Sequence, residues 1–291
     1  MENKKVSIKK ILTIASVEYT KWICNSKMIV LLVMLIFIKS CAIDPLLEHC
    51  EKMNEKINII EPFIAIGNSN MLLLIIPAVF LVLMSDFPKT DGNSLFYIIR
   101  CGKINWFLGQ IVFALMSILS FLGAIFLLTI ILSVGKGYIG TSWSDVITKY
   151  NTLFPDDSYS FASQLIVGRI FNQMSLLKAF IHTFLLISSY LFLIILILIV
   201  FFLVNHKEIG TFINSSIMAL GSAFTFIETK IMWVMPTANS LIGLHYTEIF
   251  RKPIMPVYIS YLYFFIVNVI LIILSIKLIK NYNISNIKDD E

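Results

Sequence analysis

Charge is scarce in this chain. Asp, Glu, Lys and Arg make up 14% of its 291 residues, against roughly 25% in an average soluble domain, which excludes a fold kept in water by a polar surface. Histidine and cysteine are also few, four of each. His49, His182, His206 and His245 fall in separate regions without ligand spacing, so no metal site is assigned. Cys41 and Cys50 are close enough in sequence to permit a bridge, which the spacing does not by itself indicate. A phosphate-binding loop is missing: Gly102-Lys103 is followed by Ile104 and lacks a glycine five positions earlier, and Gly135-Lys136 runs into Gly137. No span holds a His-Glu-x-x-His helix or a convincing Ser/His pair, which argues against a membrane hydrolase. Carboxylates inside the apolar runs are lacking too, Glu228 standing at the end of one, and no internal repeat is visible; both count against an ion-coupled carrier.

What the chain has in quantity is hydrocarbon: 58% of residues are hydrophobic and 23 are Phe. A helix crosses the roughly 30 Å apolar layer of a bilayer with about 20 residues, and backbone groups in lipid must pair within the segment, so such runs are helical whatever their Ile and Val content. Six stretches qualify or nearly so: 28–43, 71–85, 107–134, 176–204, 211–227 and 256–279. The sequence therefore predicts an all-α polytopic membrane protein, a single transmembrane domain over 1–291. The first run lacks a small-residue cleavage site after it and reads as a retained span.

Counting Lys and Arg near the span ends orients the chain. With the N-terminus cytoplasmic, thirteen fall inside and nine outside, Lys39 lying within a span, and ten Asp and Glu are added to the outer side. Both termini are thus placed inside, and the net charge of +5 fits anionic lipid better than nucleic acid, for which no basic-aromatic face exists. Lys39 has two readings, a snorkelling side chain reaching toward Asp44 or a pathway residue.

Three segments between the spans carry pattern. Ile8, Ile11, Leu12, Ala15, Tyr19, Trp22 and Ile23 share one helical face, giving a helix over 8–24 that lies in the membrane interface or packs on a partner. In 86–110, Pro88 and Asp91-Gly92-Asn93 break the second span, and a short amphipathic helix over 91–101 ends at Gly102 with Arg100 and Lys103 near its negative end. Asn105 is placed as the cap of the third span and Trp106 at the interface. An ordinary positively charged loop is the plainer alternative. In 229–252, Pro236, Thr237, Asn239 and Ser240 interrupt apolar residues too few to span, so the segment is either a re-entrant pair of half-helices or an interfacial helix.

The interfacial N-terminal helix, six spans with both ends inside, the short inner helix and the broken segment before the last span together resemble permease subunits of the ABC-2 type. The run Asp86-Phe87-Pro88, Tyr97-Ile98-Ile99-Arg100-Cys101-Gly102-Lys103, Trp106 and Gln110 is similar to the inner loop of such permeases from low-GC Gram-positive bacteria. The architecture covers nearly the whole chain and the local motif about 25 residues of it. The resemblance implies a bacterial plasma-membrane exporter subunit that binds no ATP or Mg itself and is not an enzyme. A cytosolic ABC ATPase would carry both, and a second permease chain would complete the path through membrane lipid. It further implies that Asp91, Ser94, Tyr97, Arg100 and Lys103 couple to that ATPase, with Tyr97 and Arg100 as direct contacts. The outer segment, with Glu228, Trp233, Pro236 and Asn239, would gate the exit. The implied cargo is peptide (a bacteriocin or other antimicrobial peptide), lipid or drug. The competing reading is a non-transporting immunity or sensor protein that binds a peptide at its outer loops.

Overall fold

The computed structural model describes residues 5–89, 92–166, 168–249 and 253–282. Helix α1 (Ile8–Ile23) precedes α2 (Met28–Ile38), which passes through a π turn at Lys39–Ile43 into α3 (Asp44–Met53) without a break. Pro45 explains the wider turn: it has no N–H to return to the preceding turn, and the Asp44 N–H instead bonds Lys39 O, five residues back. Lys39 Nζ meets Asp44 Oδ2 at 2.6 Å, so the cation within the apolar run reaches the polar end of its own helix.

Helices α4 (Glu61–Asn68) and α5 (Asn70–Leu83) are bent by 85° at Ser69, whose hydroxyl accepts the Leu72 N–H and caps α5. Next come α6 (Gly92–Cys101), the 31-residue α7 (Lys103–Ser133), α8 (Asp145–Leu153), α9 (Gly168–Phe171), α10 (Leu176–Leu203) and α11 (Lys207–Phe226). A 3₁₀ turn at Lys230–Val234, α12 (Pro236–Ser240) and a second 3₁₀ turn at Ile242–His245 lead to α13 (Val257–Asn281). Two short strands, β1 (Ile57–Asn58) and β2 (Gly137–Tyr138), pair in parallel, Ile57 opposite Gly137 and Asn58 opposite Tyr138. The segment 44–70, which the apolar pattern leaves as a loop, is therefore mostly helical. The segment 229–252 is a chain of three short helical turns rather than two half-helices, and 250–252 lie outside the described residues.

This is an all-α membrane protein. Among the described residues five helices are long and apolar enough to cross a bilayer, and six if the bent α4–α5 pair counts as one. Their apolar faces are displayed rather than hidden: Leu115, Leu119, Leu127 and Ile131 on α7, and Leu262, Phe265, Ile270 and Ile273 on α13, are all exposed. Contiguous apolar surface of this extent is not sustained in water and fits a hydrocarbon surround. Helix α10 is central, since 67% of its most apolar stretch is buried against 17% for α13. Leu191 and Leu193–Val200 are buried around most of its circumference, as expected of a helix enclosed by neighbours.

The connectivity makes two unlike ends. One end gathers α1, α6, the start of α11 and the finish of α13. The other gathers α3, α4, α8, α9, α12 and the strand pair. At this loop-rich end Glu61 is fully buried, accepting the backbone N–H groups of Asn58 (2.9 Å) and Ser144 (2.6 Å) and the Ser144 hydroxyl (2.7 Å). Ser144 in turn caps α8 by accepting the Ile147 N–H.

At the termini end α1 lies along α7 and buries Ile11, Ile14, Ala15 and Trp22, while Ile8, Leu12 and Ile23 stay exposed. Tyr19 Oη lies 2.7 Å from Ser120 Oγ, and Trp22 meets Phe113 edge-on. The helix thus docks on its own chain through a face turned from the one the apolar spacing marks, with Ile14 in place of Leu12. Gly109 permits the approach: an added Cβ would stand 2.7 Å from Ile14 Cγ2 and 2.8 Å from its Cβ. Gly109→Val is therefore expected to lift α1 from α7, and tryptic cleavage after Lys9, Lys10 and Lys21 should accelerate by about tenfold, since local opening sets such rates. Unchanged cleavage would show that α1 does not depend on this contact.

Candidate functional site

At the termini end, α6 is a short amphipathic helix that buries Ile98 against the bundle and leaves Phe96, Ile99 and Arg100 exposed. The Arg100 guanidinium lies 5.3 Å over the Phe96 ring, and Tyr97, half-buried, is edge-on to the same ring. Ser94 lies in α6, and Asp91 lies outside the described residues. The helix ends at Gly102, whose φ of 93° and ψ of 150° turn the chain directly into α7. Its N–H bonds Ile98 O in α6, and its carbonyl accepts the Trp106 N–H in α7.

The first turn of α7 is then fastened on two sides. Lys103 Nζ donates to Lys280 O (3.0 Å) and Tyr282 O (2.7 Å), neutralising the carbonyl end of α13. Asn105, fully buried, donates through Nδ2 to Cys101 O (2.8 Å) and Lys5 O (3.2 Å) and accepts the Ser7 N–H on Oδ1 (2.9 Å). It is a clamp between α1, α6 and α7 rather than a helix cap. Trp106 likewise is buried beside Phe202, 6.0 Å between ring centroids, and not at an interface. Lys27, between α1 and α2, pairs with Asp86 (2.7 Å) and donates to Ser85 Oγ (2.6 Å), tying the α1–α2 turn to the end of α5. That lysine holds the Asp86 carboxyl below the usual carboxylate range.

At the loop-rich end the four residues singled out in the broken segment separate. Trp233, Pro236 and Asn239 come together. Asn239 Nδ2 donates to Trp233 O (2.8 Å) and Met235 O (2.9 Å), and its Oδ1 accepts the Ser260 hydroxyl from α13 (2.7 Å). Pro236 opens α12, which is buried along its whole length, and Trp233 leans on His245 at 5.0 Å. Glu228 stands apart in a left-handed conformation, φ 52°, and pairs with Arg169 Nη1 at 3.0 Å.

Sequence spacing did not single out His245 and Ser260, both fully buried in this cluster, because the pairing arises from two segments converging across the turn at 253–256. The His245 Nδ1 contacts Met255 O at 2.8 Å, and a carbonyl only accepts, so Nδ1 carries the proton. Nε2 is then an acceptor 3.3 Å from Ser260 Oγ, while the hydroxyl has a closer acceptor in Asn239 Oδ1. The hydroxyl thus stitches α13 to the broken segment through Asn239. The segment docks on α11 at Gly221, where an added Cβ would lie 2.4 Å from Thr237 Oγ1.

Between the outermost turns of α5 and α11 opens a cavity of about 1110 Å³, reaching from the bend at Asn68–Asn70 to Glu228 and roofed by Gln164, Leu165 and Arg169. Cys41 and Cys50 are free thiols, and among the described residues no cluster of His, Cys, Asp and Glu is placed to hold a metal ion. No protein-family model matches the chain, and neither a curated protein nor a solved structure matches it.

Proposed function

We propose that this chain is the membrane subunit of an ATP-driven exporter of the ABC-2 type, with α6 as the surface that docks a separate cytosolic ATPase and the loop-rich end facing outward. The observation that carries the reading is the wiring of α6. This exposed amphipathic helix is joined through a single glycine to the longest helix of the bundle, whose first turn grips α1 through Asn105 and α13 through Lys103. Force applied at Phe96, Tyr97 and Arg100 would reach three helices at once. A loop that merely spaced two spans would have no use for such connections. The excess of Lys and Arg on this end supports a cytoplasmic orientation for it. A second permease chain would complete the translocation path, and the broken segment 229–249 with its neighbouring cavity would form the outward side of that path.

The test is affinity purification of the chain from its native membrane. An ATPase is expected to co-purify, and Tyr97→Ala or Arg100→Glu should lower its yield about tenfold or more, as exposed aromatic and Arg anchors do at interfaces, with the permease itself undiminished. If no ATPase accompanies the unaltered chain, the transporter reading fails and the non-transporting, peptide-binding alternative takes its place.

A further inference from the structure

From the cavity between α5 and α11 we infer a binding site for a single-tailed amphiphile with a cationic head, entering from the membrane at the loop-rich end. Its wall is hydrocarbon in character. Met71 and Leu74 of α5 and Phe226 of α11 line it, all exposed, and Phe226 is 82% exposed although it faces a concave surface. Drug-sized ligands occupy sites of about 300–1000 Å³. A cavity of about 1110 Å³ with this lining holds a hydrocarbon tail rather than a polar metabolite.

The charged part of the lining supplies the head's partner. Among the described residues it carries two carboxylates, Glu228 and Glu248, and one guanidinium, Arg169. Arg169 is committed to Glu228 at 3.0 Å. Glu248 lies close over Gly168, where an added Cβ would stand 2.8 Å from its Oε1, so a side chain at 168 would displace this second carboxylate. The cradle is itself anchored, because Gln173 Nε2 donates to Thr247 O (2.8 Å) and holds α9 to the strand of chain bearing Glu248. Apolar lining beside described charges that sum to net negative selects a cation at one end of the ligand and hydrocarbon at the other. Among the described residues an anionic head would meet two carboxylates, with Arg169 already engaged.

As the substrate class of the proposed exporter this inference rests on that reading; as a binding site it stands on the cavity alone, and its test needs no ATPase. The full chain in phosphatidylcholine nanodiscs is photolabelled with two diazirine-bearing hexadecyl probes, one with a trimethylammonium head and one with a sulfate head. Adducts are mapped by mass spectrometry. Labelling of 71–74 and 223–227 is divided by labelling of Leu262 and Phe265 on the lipid-facing side of α13, which cancels differences in partitioning. This ratio is expected to be about tenfold higher for the ammonium probe, within the range that charge complementarity gives at partly exposed sites. In Glu228→Gln with Glu248→Gln, Arg169 is left as the described charge at the mouth and the preference should invert. Ala223→Trp, which fills the cavity without touching the rim, should reduce the ratio for both probes, and it serves if the double variant does not fold. Equal ratios for the two heads, a preference unaltered in the double glutamine variant, or cavity labelling unaltered in Ala223→Trp would overturn the inference. Cavity labelling as expected without a co-purifying ATPase would leave the site standing and remove the transporter reading. The converse result would do the opposite.

Discussion

Glu61→Ala is expected to lower the thermal midpoint of the chain in lipid nanodiscs by on the order of 10 °C and to open the segment 136–160 to protease. The carboxylate is fully buried and serves three donors from two separate parts of the sequence, Asn58 beside it and Ser144 far beyond it. Alanine strands two backbone N–H groups and a hydroxyl in a site that water does not reach. An abandoned buried donor costs about 1–3 kcal/mol, so the three together cost roughly 3–9 kcal/mol, and about 2–4 °C accompanies each kcal/mol in domains of this general size. The capping of α8 suffers too, because Ser144 is positioned by the same contact. Glu61→Gln keeps one carbonyl oxygen as an acceptor but turns an NH₂ group toward the remaining donors, and should fall between the two. Ser144→Ala removes both the hydroxyl's bond to Glu61 and the cap of α8 while leaving its backbone bond to Glu61, and about 1–3 kcal/mol is expected. A Glu61→Ala midpoint within about 2 °C of the unaltered chain would show that β1, α4 and α8 are held together by something else.

The spans were legible because length in hydrocarbon is a one-dimensional property. The runs at 107–134, 176–204 and 256–279 correspond to α7, α10 and α13, with ends shifted by a few residues where polar groups such as Lys103 begin the helix. What a helix turns toward its neighbours was less legible. Trp106 and Asn105 carry ordinary signals for an interface anchor and a cap, and the fold uses them instead as core and clamp, since Phe202, Ser7 and Lys5 arrive from elsewhere in the chain.

Helix α4 was hidden for the same reason. Glu61 reads as one of the outer-side carboxylates until Ser144, 83 residues away, supplies the donors that make it tolerable when buried. In the broken segment, Pro236 and the small polar residues after it announce irregular backbone, which is local chemistry. The partner of Glu228 does not follow from local chemistry, because Arg169 lies 59 residues earlier. The proposed coupling helix was visible as a pattern, whereas its connections through Lys103 to α13 depend on where that distant helix ends.

Those connections make Gly102→Val the substitution with the largest expected effect on coupled activity. At φ 93° and ψ 150° the residue occupies backbone space that is almost wholly glycine's, and a β-branched side chain there costs about 1–3 kcal/mol. The strain has to relax on one side or the other. On the α7 side the chain is fixed by Asn105 to α1 and by Lys103 to the carbonyls of 280 and 282. On the α6 side, among the described side chains, Ile98 is buried and Tyr97 half-buried, while Phe96, Ile99 and Arg100 are exposed. Helix α6 should therefore swing while the spans stay in place. In a reconstituted complex, permease-stimulated ATP hydrolysis is expected to fall about tenfold or more, as when an anchor at an interface is misplaced, with a midpoint change of only a few degrees. Lys103→Met probes the next link. It leaves α6 docked but frees the end of α13, so the ATPase should still bind while its stimulation declines. Retained stimulation in Gly102→Val would mean that the orientation of α6 is not what the ATPase senses, and the proposed input would have to be sought elsewhere on the termini end.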